Sequence, residues 1–140
     1  MSLQGARLLL VLPQLPQDPA SGAARSNRTL AEMLSAASAE VRVLATTVSE
    51  ASGRLDAAAY LRELGIHPSI LPKGAAGRLR PELEFTDRRI PYHLLDAGGR
   101  DMQSWQKIAG SQFDRMFDCA LTGFRPTCWW PSAGFPARAS

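Results

Sequence analysis

The chain of 140 residues contains few cysteines and histidines, and those it has are not arranged to bind metal. Its two cysteines, Cys119 and Cys128, form no CxxC pair, and its two histidines, His67 and His93, lie far apart in the sequence. A structural zinc site takes about four such ligands at short spacings, so we expect no metal and no cofactor. We predict instead that both cysteines are buried free thiols of a protein in the reducing cytosol.

Long apolar segments are also missing. The longest apolar run near the start, Leu8 to Leu12, is far shorter than the roughly 20 residues that span a bilayer, and no signal-peptide cleavage pattern follows it. We therefore expect a cytoplasmic protein. Peripheral contact with the inner face of the membrane stays open, because each basic residue near an anionic surface contributes about 1 kcal/mol of attraction.

Charge of one sign is nowhere concentrated. Sixteen Lys and Arg residues are interspersed with thirteen Asp and Glu residues, for a formal net charge of +3. Nucleic-acid-binding domains typically carry a basic stripe, often interleaved with aromatic residues that stack on bases, so we expect no nucleic-acid partner. With 45% hydrophobic and 21% charged residues, the composition fits one globular domain over residues 1–140, and residues 1–3 are compatible with a cloning remnant.

What the chain does contain is an alternation of strand and helix patterns. Between the strands, apolar residues recur three and four positions apart, as in amphipathic helices. The first helix is predicted to begin at Ser21 or Gly22, and Gly65 is predicted to end the second helix in a left-handed conformation. This order predicts a Rossmann-like, three-layer α/β/α domain with a mainly parallel sheet. Short apolar and β-branched runs place its first strands at residues 7–12, 41–47 and 66–71.

The second half of the chain is patterned less regularly. Lys73 to Arg89 mixes Gly, Pro and both charges, and we interpret it as a surface excursion. Ile90 to Leu95 is a candidate strand. From Trp105 to Leu121 apolar residues recur every three or four positions and predict a helix over residues 104–122. Thr127 to Trp130 is then predicted as the last strand of the parallel sheet.

The loop between the first strand and the first helix is the most informative segment for function. The segment Ser21-Gly22-Ala23-Ala24-Arg25-Ser26 places small residues at a helix start, where free N–H groups favour an anion and Gly lets a ligand approach. It contains neither the GxGxxG dinucleotide fingerprint nor the GK[ST] sequence of a P-loop. A helix start made of small residues for close packing explains the same segment about equally well.

Several stretches of the chain resemble the N-terminal domain of GT-B-fold glycosyltransferases of the large retaining family 4. They are LLLVLPQLPQ, DPASGAARSNRTLAEMLS, VRVLATT, and FDRMFDCALTGFRP with the strand and turn that follow it. In that family a Pro- and Gly-rich loop joins the first strand to a helix, and a V-x-V-x-T strand comes next. Where many relatives have a histidine after the last of these strands, this chain has Trp130-Pro131-Ser132.

The resemblance implies half of a two-domain enzyme that transfers a sugar from a nucleotide-sugar donor to an acceptor hydroxyl with retention. The N-terminal domain mainly holds the acceptor, a sugar or a lipid-linked sugar, and the donor-binding C-terminal domain is absent from this chain, so these residues alone are expected to be inactive. By the resemblance, Gly22 and Ala23 approach the donor phosphates, and no catalytic residue is assigned. The residues expected to line the site are Ser21, Gly22, Ala23, Arg25, Ser26, Ser132, Ala133 and Gly134.

Other polar residues have simpler explanations. Asp18 lies in the first loop, where forming a turn is favoured over binding a sugar hydroxyl. His93 has no nearby acidic partner that we can identify, so we predict packing rather than catalysis. Ser132 lacks the histidine, the acid and the GxSxG turn of a hydrolase triad.

Two other functions stay open. One is a stand-alone Rossmann-like or flavodoxin-like module that binds a phosphorylated ligand without catalysis. The other is an interaction protein that docks through Trp129 and Trp130, one of which must face outward because adjacent side chains of a strand point to opposite faces. The length of the parent reading frame would test the first, and a sizing experiment over a concentration series would test the second.

Overall fold

The computed structural model describes residues 3–19, 21–37, 39–48, 56–74, 78–96 and 111–131. Strands and helices alternate along most of this part of the chain, which makes it an α/β protein. In chain order the elements are β1 (Arg7–Gln14), α1 (Gly22–Ala36), β2 (Glu40–Val48), α2 (Ala57–Glu63), β3 (Ser69–Leu71), β4 (Glu82–Asp87), β5 (Ile90–Leu95), α3 (Ser111–Phe124) and β6 (Cys128–Pro131).

The described strands form one open, mixed sheet in the order β3-β4-β5-β2-β1-β6. Its centre is parallel, because β1 pairs in parallel with both β2 and β6, and β2 pairs in parallel with β5. The apolar run from Leu8 to Leu12 in β1 is buried throughout, as expected for a parallel strand that is covered on both faces. The parallel strands predicted near both ends of the chain are therefore confirmed, as is the strand predicted at Ile90 to Leu95.

The prediction for the middle of the chain was wrong. The supposed surface excursion from Lys73 to Arg89 contains β4, which pairs antiparallel with β5. A tight turn at Arg88 and Arg89, with φ angles of 50° and 70°, returns the chain into this hairpin. The third strand is also not a parallel neighbour of the central strands, because the three residues of β3 pair antiparallel with β4 at the edge of the sheet.

The two faces of the sheet pack against different helices. Side chains alternate between the faces along each strand. The even-numbered side chains of β1 join α1 and α2 in one apolar cluster, which includes Leu10, Ala31 and Leu61. The odd-numbered ones join α3 in a second cluster, which includes Leu9 and Phe117. We call these two sides of the sheet the α1 face and the α3 face.

The boundaries of α1 and α2 follow from their end residues. Helix α1 begins at Gly22 with Ser21 as its N-cap, as predicted. After α2, Gly65 has a φ of 84°, and the N–H of Ile66 donates to the carbonyl of Leu61 at 2.9 Å, which closes the predicted left-handed helix end. On α1, Ala31 is fully buried against the sheet, whereas its neighbour Leu30 is 41% exposed.

Helix α3 confirms the C-terminal part of the helix predicted over residues 104–122. Its apolar residues at spacings of three and four, including Phe113, Met116 and Phe117, are buried against the sheet. Residues 104–110 of that prediction, with Trp105, lie outside the described residues. No helix in the described part of the chain is long and apolar enough to cross a membrane.

Candidate functional site

The predicted site lies where β1 ends and α1 begins. Strand β1 extends one residue beyond Pro13, and its pairing with β2 shifts register there. The Thr46 hydroxyl of β2 donates to the Pro13 carbonyl, and in the following loop the N–H of Asp18 donates to the carbonyl of Leu15 at 3.1 Å. These contacts hold the start of α1 at the carboxyl end of β1, a central strand of the sheet.

Ser21 fixes the first turn of α1. Its Oγ accepts a hydrogen bond from the N–H of Ala24 at 3.2 Å and donates to Oε1 of Gln14 at 3.3 Å. Ser21, which was predicted to line the site, is only 2% exposed. Its position is that of an N-cap residue, whose side chain satisfies one of the free N–H groups of a helix start.

Gly22 and Ala23 present unpaired backbone donors at the same point. Both residues are exposed. The N–H groups of Ala24 and Arg25 bond to Ser21, whereas those of Gly22 and Ala23 have no partner among the described residues. A Cβ placed on Gly22 would meet nothing within 4 Å, so the space in front of these donors is open. A helix start of this kind attracts an anion.

Arg25 and Ser26 lie on the outer side of this helix start. Both are exposed, and the guanidinium of Arg25 has no acidic partner in the described part of the chain. A shallow groove on the surface of α1 brings the two residues together with Gly22 and continues along the exposed side chains of Leu30 and Met33. The structure thus brings Gly22, Arg25 and Ser26 together.

The second half of the predicted site, Ser132, Ala133 and Gly134, lies outside the described residues. They directly follow β6, which ends at Pro131 and pairs there with Val11 of β1. The carboxyl ends of β1 and β6 are therefore neighbours in the sheet.

The chain matches no protein-family model, curated protein or solved structure. The chemistry of the helix start follows from its own groups, which are two free N–H donors and a guanidinium. These groups can bind and stabilise negative charge, but none of them is a nucleophile or a base at neutral pH. Among the residues that the structure describes, no cluster of three or more His, Cys, Asp and Glu side chains could hold a metal ion.

Asp18 serves the structure of the first loop. Its side chain is 1% exposed and accepts a hydrogen bond from the Tyr60 hydroxyl of α2 at 3.3 Å. Partial burial and the Asp18 charge raise the pKa of Tyr60 above its ordinary value. Asp18 therefore fastens the loop to α2 and does not face a ligand, in line with the structural role that its sequence context favours.

A buried carboxylate on the α1 face joins three segments of the chain. Oδ2 of Asp87, at the end of β4, accepts from Nε2 of Gln17 at 3.1 Å and from Nε and Nη2 of Arg28 at 3.0 and 2.8 Å. Tyr92 is buried beside this group, and its burial together with the Asp87 charge raises the pKa of the phenol well above its ordinary value. We call Gln17, Arg28, Asp87 and Tyr92 the Asp87 network.

A second buried carboxylate, Glu82, lies at the start of β4 on the α3 face. Its Oε1 contacts Nε2 of His93 at 2.7 Å, and its Oε2 accepts from Nε2 of Gln112 at 2.9 Å and pairs with Nε of Arg78 at 3.3 Å. The Gln112 side chain also bonds to the backbone of Leu79 and Arg80. We call Arg78, Glu82, His93 and Gln112 the Glu82 network.

The prediction that His93 lacks an acidic partner was therefore wrong. The antiparallel pairing of β4 with β5 places Glu84 directly opposite His93 and Glu82 one pleat further along the same face. Because a carboxylate can only accept, Nε2 of His93 donates to Oε1 of Glu82, and in the neutral tautomer that this bond favours Nδ1 is an acceptor. The alternation of Glu82, Leu83, Glu84 and Phe85 is the signal that could have revealed this strand.

A groove of about 570 Å³ lies beside this network, between α3 and strands β2, β4 and β5. We call it the α3 groove. Cys119 lines it and is exposed, so the prediction of a buried thiol was wrong for this residue, while the side chain of Cys128 lies outside the described part. The side chains that line the groove include Leu9, Arg42, Leu44, Glu84, Thr86, Pro91, His93, Met116, Cys119 and Ala120.

Proposed function

We propose that the chain is the N-terminal, acceptor-side half of a retaining, nucleotide-sugar-dependent glycosyltransferase of the GT-B type, with a Rossmann-like three-layer architecture. The central strand order β5-β2-β1-β6 supports the architecture. The chain adds β2 and then β5 on one side of β1, and it later returns to add β6 on the other side of β1. The apolar clusters with α1 and α2 on one face and α3 on the other support it as well.

In such sheets ligands bind at the carboxyl ends of the strands, where the strand order reverses. Here that point is the boundary between β1 and β6, whose carboxyl ends lie side by side. The segment that starts α1 follows β1, and Ser132 to Gly134 follow β6. The two halves of the site expected from the family resemblance thus belong to the two strands that meet at this point.

The observation that carries the proposal is the set of unpaired groups at the start of α1. The N–H groups of Gly22 and Ala23 and the guanidinium of Arg25 have no partner in the described part of the chain. Together they form a binding site for a diphosphate that enters from a neighbouring donor domain. As the bond to the sugar breaks, negative charge grows on the leaving diphosphate, and fixed donors stabilise it.

The exposed groove along α1 supplies the acceptor side. It offers the hydroxyl-bearing residues Ser26 and Thr29 next to the apolar surface of Leu30 and Met33. This mixture suits an acceptor that combines a sugar with an apolar portion, such as a lipid-linked sugar.

The test is a sugar-transfer assay on the complete polypeptide, in which this domain is joined to its donor-binding domain. Gly22→Val puts a side chain in front of the free N–H groups and should lower kcat/KM by roughly 10²- to 10³-fold, the effect of losing one oxyanion-type donor. Its melting temperature should fall little, because Gly22 has no positive φ and the space beside it is open. Gly123→Val is the matched control, since Gly123 of α3 is equally open but distant from the site.

Full activity of Gly22→Val per folded molecule would rule out the phosphate-binding role. Calorimetry on these 140 residues alone provides a second test, because the donor contacts lie mostly in the other domain. We expect nucleotide-sugar binding weaker than about 1 mM, well outside the range of substrate sites. Tight binding to the isolated chain would favour a stand-alone phospholigand-binding module instead.

A further inference from the structure

The α3 groove has the size and lining of a small-molecule site, and the proposed transfer reaction does not use it. Its volume of about 570 Å³ falls within the range of roughly 300–1,000 Å³ typical of ligand pockets. Apolar side chains from the sheet and from α3 line it together with polar ones, among them Arg42 and His93. The apolar lining is contributed by Leu9, Leu44, Pro91, Met116 and Ala120.

One end of the groove holds a cation without an acidic partner. The guanidinium of Arg42 lies 4.7 Å from the centre of the Phe124 ring, a cation–π contact that fixes its position. No carboxylate pairs with Arg42 in the described part of the chain, whereas Arg7, which lies over the same ring, pairs with Glu40. Arg42 is therefore positioned to take an anionic group from a ligand.

The other end holds an oriented imidazole. Glu82 accepts the Nε2 hydrogen of His93, so Nδ1 is the acceptor of the neutral tautomer, and no described residue bonds to it. Glu84, half exposed beside His93, adds a negative charge at this end. A neutral hydroxyl is accepted here, whereas a second anionic group is repelled.

The register of the sheet sets the distance between the two ends. Arg42 lies two residues before Leu44 on β2, and Leu44 pairs with His93 on β5. Two residues along a strand and one step across the sheet separate the Cα atoms of Arg42 and His93 by about 8 Å. A single aromatic ring with a short acidic arm and an opposite hydroxyl is of comparable length.

We propose that the α3 groove binds a small aromatic carboxylate that carries a hydrogen-bond donor opposite its acidic group. Arg42 binds the carboxylate, Leu9, Leu44 and Pro91 contact the ring, and Nδ1 of His93 accepts from the donor. The groove is on the opposite face of the sheet from α1, so this site is separate from the start of α1 and does not depend on the proposed transferase activity.

The probe for the experiment is 4-hydroxyphenylacetate, titrated into the 140-residue chain and followed by two-dimensional NMR. Resonances of β2, β5 and α3 should shift, with a Kd at or below about 5 mM, as ordinary ligand efficiency gives for a molecule of this size. Phenylacetate, which lacks the hydroxyl, should bind at least threefold more weakly. Tyramine, which replaces the carboxylate with an ammonium, should show no saturable binding.

Three variants separate the groove from unspecific attraction of anions. Arg42→Gln and His93→Gln should each weaken binding of 4-hydroxyphenylacetate, by at least tenfold for Arg42→Gln, which removes a charge-assisted bond. Arg25→Gln removes the unpaired cation at the start of α1 and should leave the affinity unchanged. Dispersed NMR spectra of each variant establish that it is folded.

Protection of Cys119 tests the same site without any variant. Because Cys119 lines the groove and is exposed, saturating 4-hydroxyphenylacetate should slow its alkylation by N-ethylmaleimide at least threefold, measured on the Cys119 peptide by mass spectrometry. The proposal is overturned if alkylation is unchanged at saturation or if the NMR shifts are confined to α1. It is equally overturned if tyramine binds as well as 4-hydroxyphenylacetate, or if no binding is seen up to about 20 mM, fourfold above the expected Kd.

Discussion

Two buried carboxylates hold strand β4 at its opposite ends, and they differ in what they bind. In Asp87 a single oxygen, Oδ2, accepts from three donor groups, two of which belong to the guanidinium of Arg28. Glu82 uses both oxygens and binds an imidazole, an amide and a guanidinium. The first arrangement is an ion pair that fastens the β4–β5 turn to α1. The second also holds His93 through its Nε2.

The difference shows that burial of an acid does not by itself mark a functional site. The side chains of Asp87 and Glu82 are almost equally buried, at 10% and 8% exposure. In the Asp87 network the carboxylate is matched by a permanent cation. In the Glu82 network the carboxylate also holds a residue, His93, that lines the α3 groove.

The largest effect is expected from breaking the Asp87 network. Asp87→Asn removes the charge that Arg28 neutralises and leaves this partly buried guanidinium with only its longer contact to Glu32, at 3.7 Å, so the free energy of unfolding should fall by about 2–3 kcal/mol. Chemical denaturation measures this loss. The matched control Glu63→Gln changes an exposed acid of α2 and should alter stability by less than about 0.5 kcal/mol. Equal effects of the two variants would mean that the ion pair contributes nothing.

A smaller effect should separate the two glutamines of these networks. Gln112 makes hydrogen bonds through both its Oε1 and its Nε2, so Gln112→Met should destabilise the protein by about 2 kcal/mol. Gln17 also bonds to Asp87, but its Oε1 is buried without a partner among the described residues. Gln17→Met therefore removes an unsatisfied atom along with a bond and should cost less than about 1 kcal/mol. Denaturation of both variants under one set of conditions gives the comparison. A larger loss for Gln17→Met would contradict it.

The smallest effect is a loss of stability at alkaline pH through Tyr92. Unfolded tyrosine loses its proton near pH 10, about its ordinary pKa, while the raised pKa keeps folded Tyr92 protonated. The unfolded state then binds fewer protons, so Tyr92 contributes its full stability below about pH 10 and loses up to about 1.4 kcal/mol per pH unit above it.

Denaturation curves between about pH 9 and 11 test this expectation, since the range brackets the ordinary tyrosine pKa. Tyr92→Phe should flatten the decline. Tyr60→Phe, at a less buried phenol, should keep most of it. If Tyr92→Phe declines as steeply as the unaltered protein, another group causes the alkaline loss.

The sequence predicted the parallel centre of the fold because burial on both faces leaves a direct signal. Leu8 to Leu12 is a continuous apolar run, and it became the doubly covered β1. β4 was missed because charged side chains occupy one side of it, and its turn uses Arg88 and Arg89 where Asn-Gly is the usual signal. β3 was assigned to the wrong partner because pairing is decided by tertiary contacts and not by the three residues themselves.

The part of the candidate site that depends on residues close together in the sequence could be predicted. The helix start at Ser21 and Gly22 follows from local capping chemistry, and the structure has it there. That Ser21 would be buried depends on Gln14, which no capping rule includes. The pairing of His93 with Glu82 depends on a hairpin register, so it could not be predicted once β4 was taken for a loop.

The position of β1 has a consequence for how the protein is made. The bond from the N–H of Arg7 to Oγ1 of Thr127 joins residues 120 positions apart, and β6 completes the pairing of the first strand. During synthesis β1 emerges long before β6, so one of its edges must wait for β6. Unpaired apolar strand edges recruit other chains, and contacts this distant in sequence form slowly. A nascent chain that stalls before Cys128 therefore exposes one edge of its central strand. We expect the risk of aggregation to be highest during this interval, before β6 has emerged.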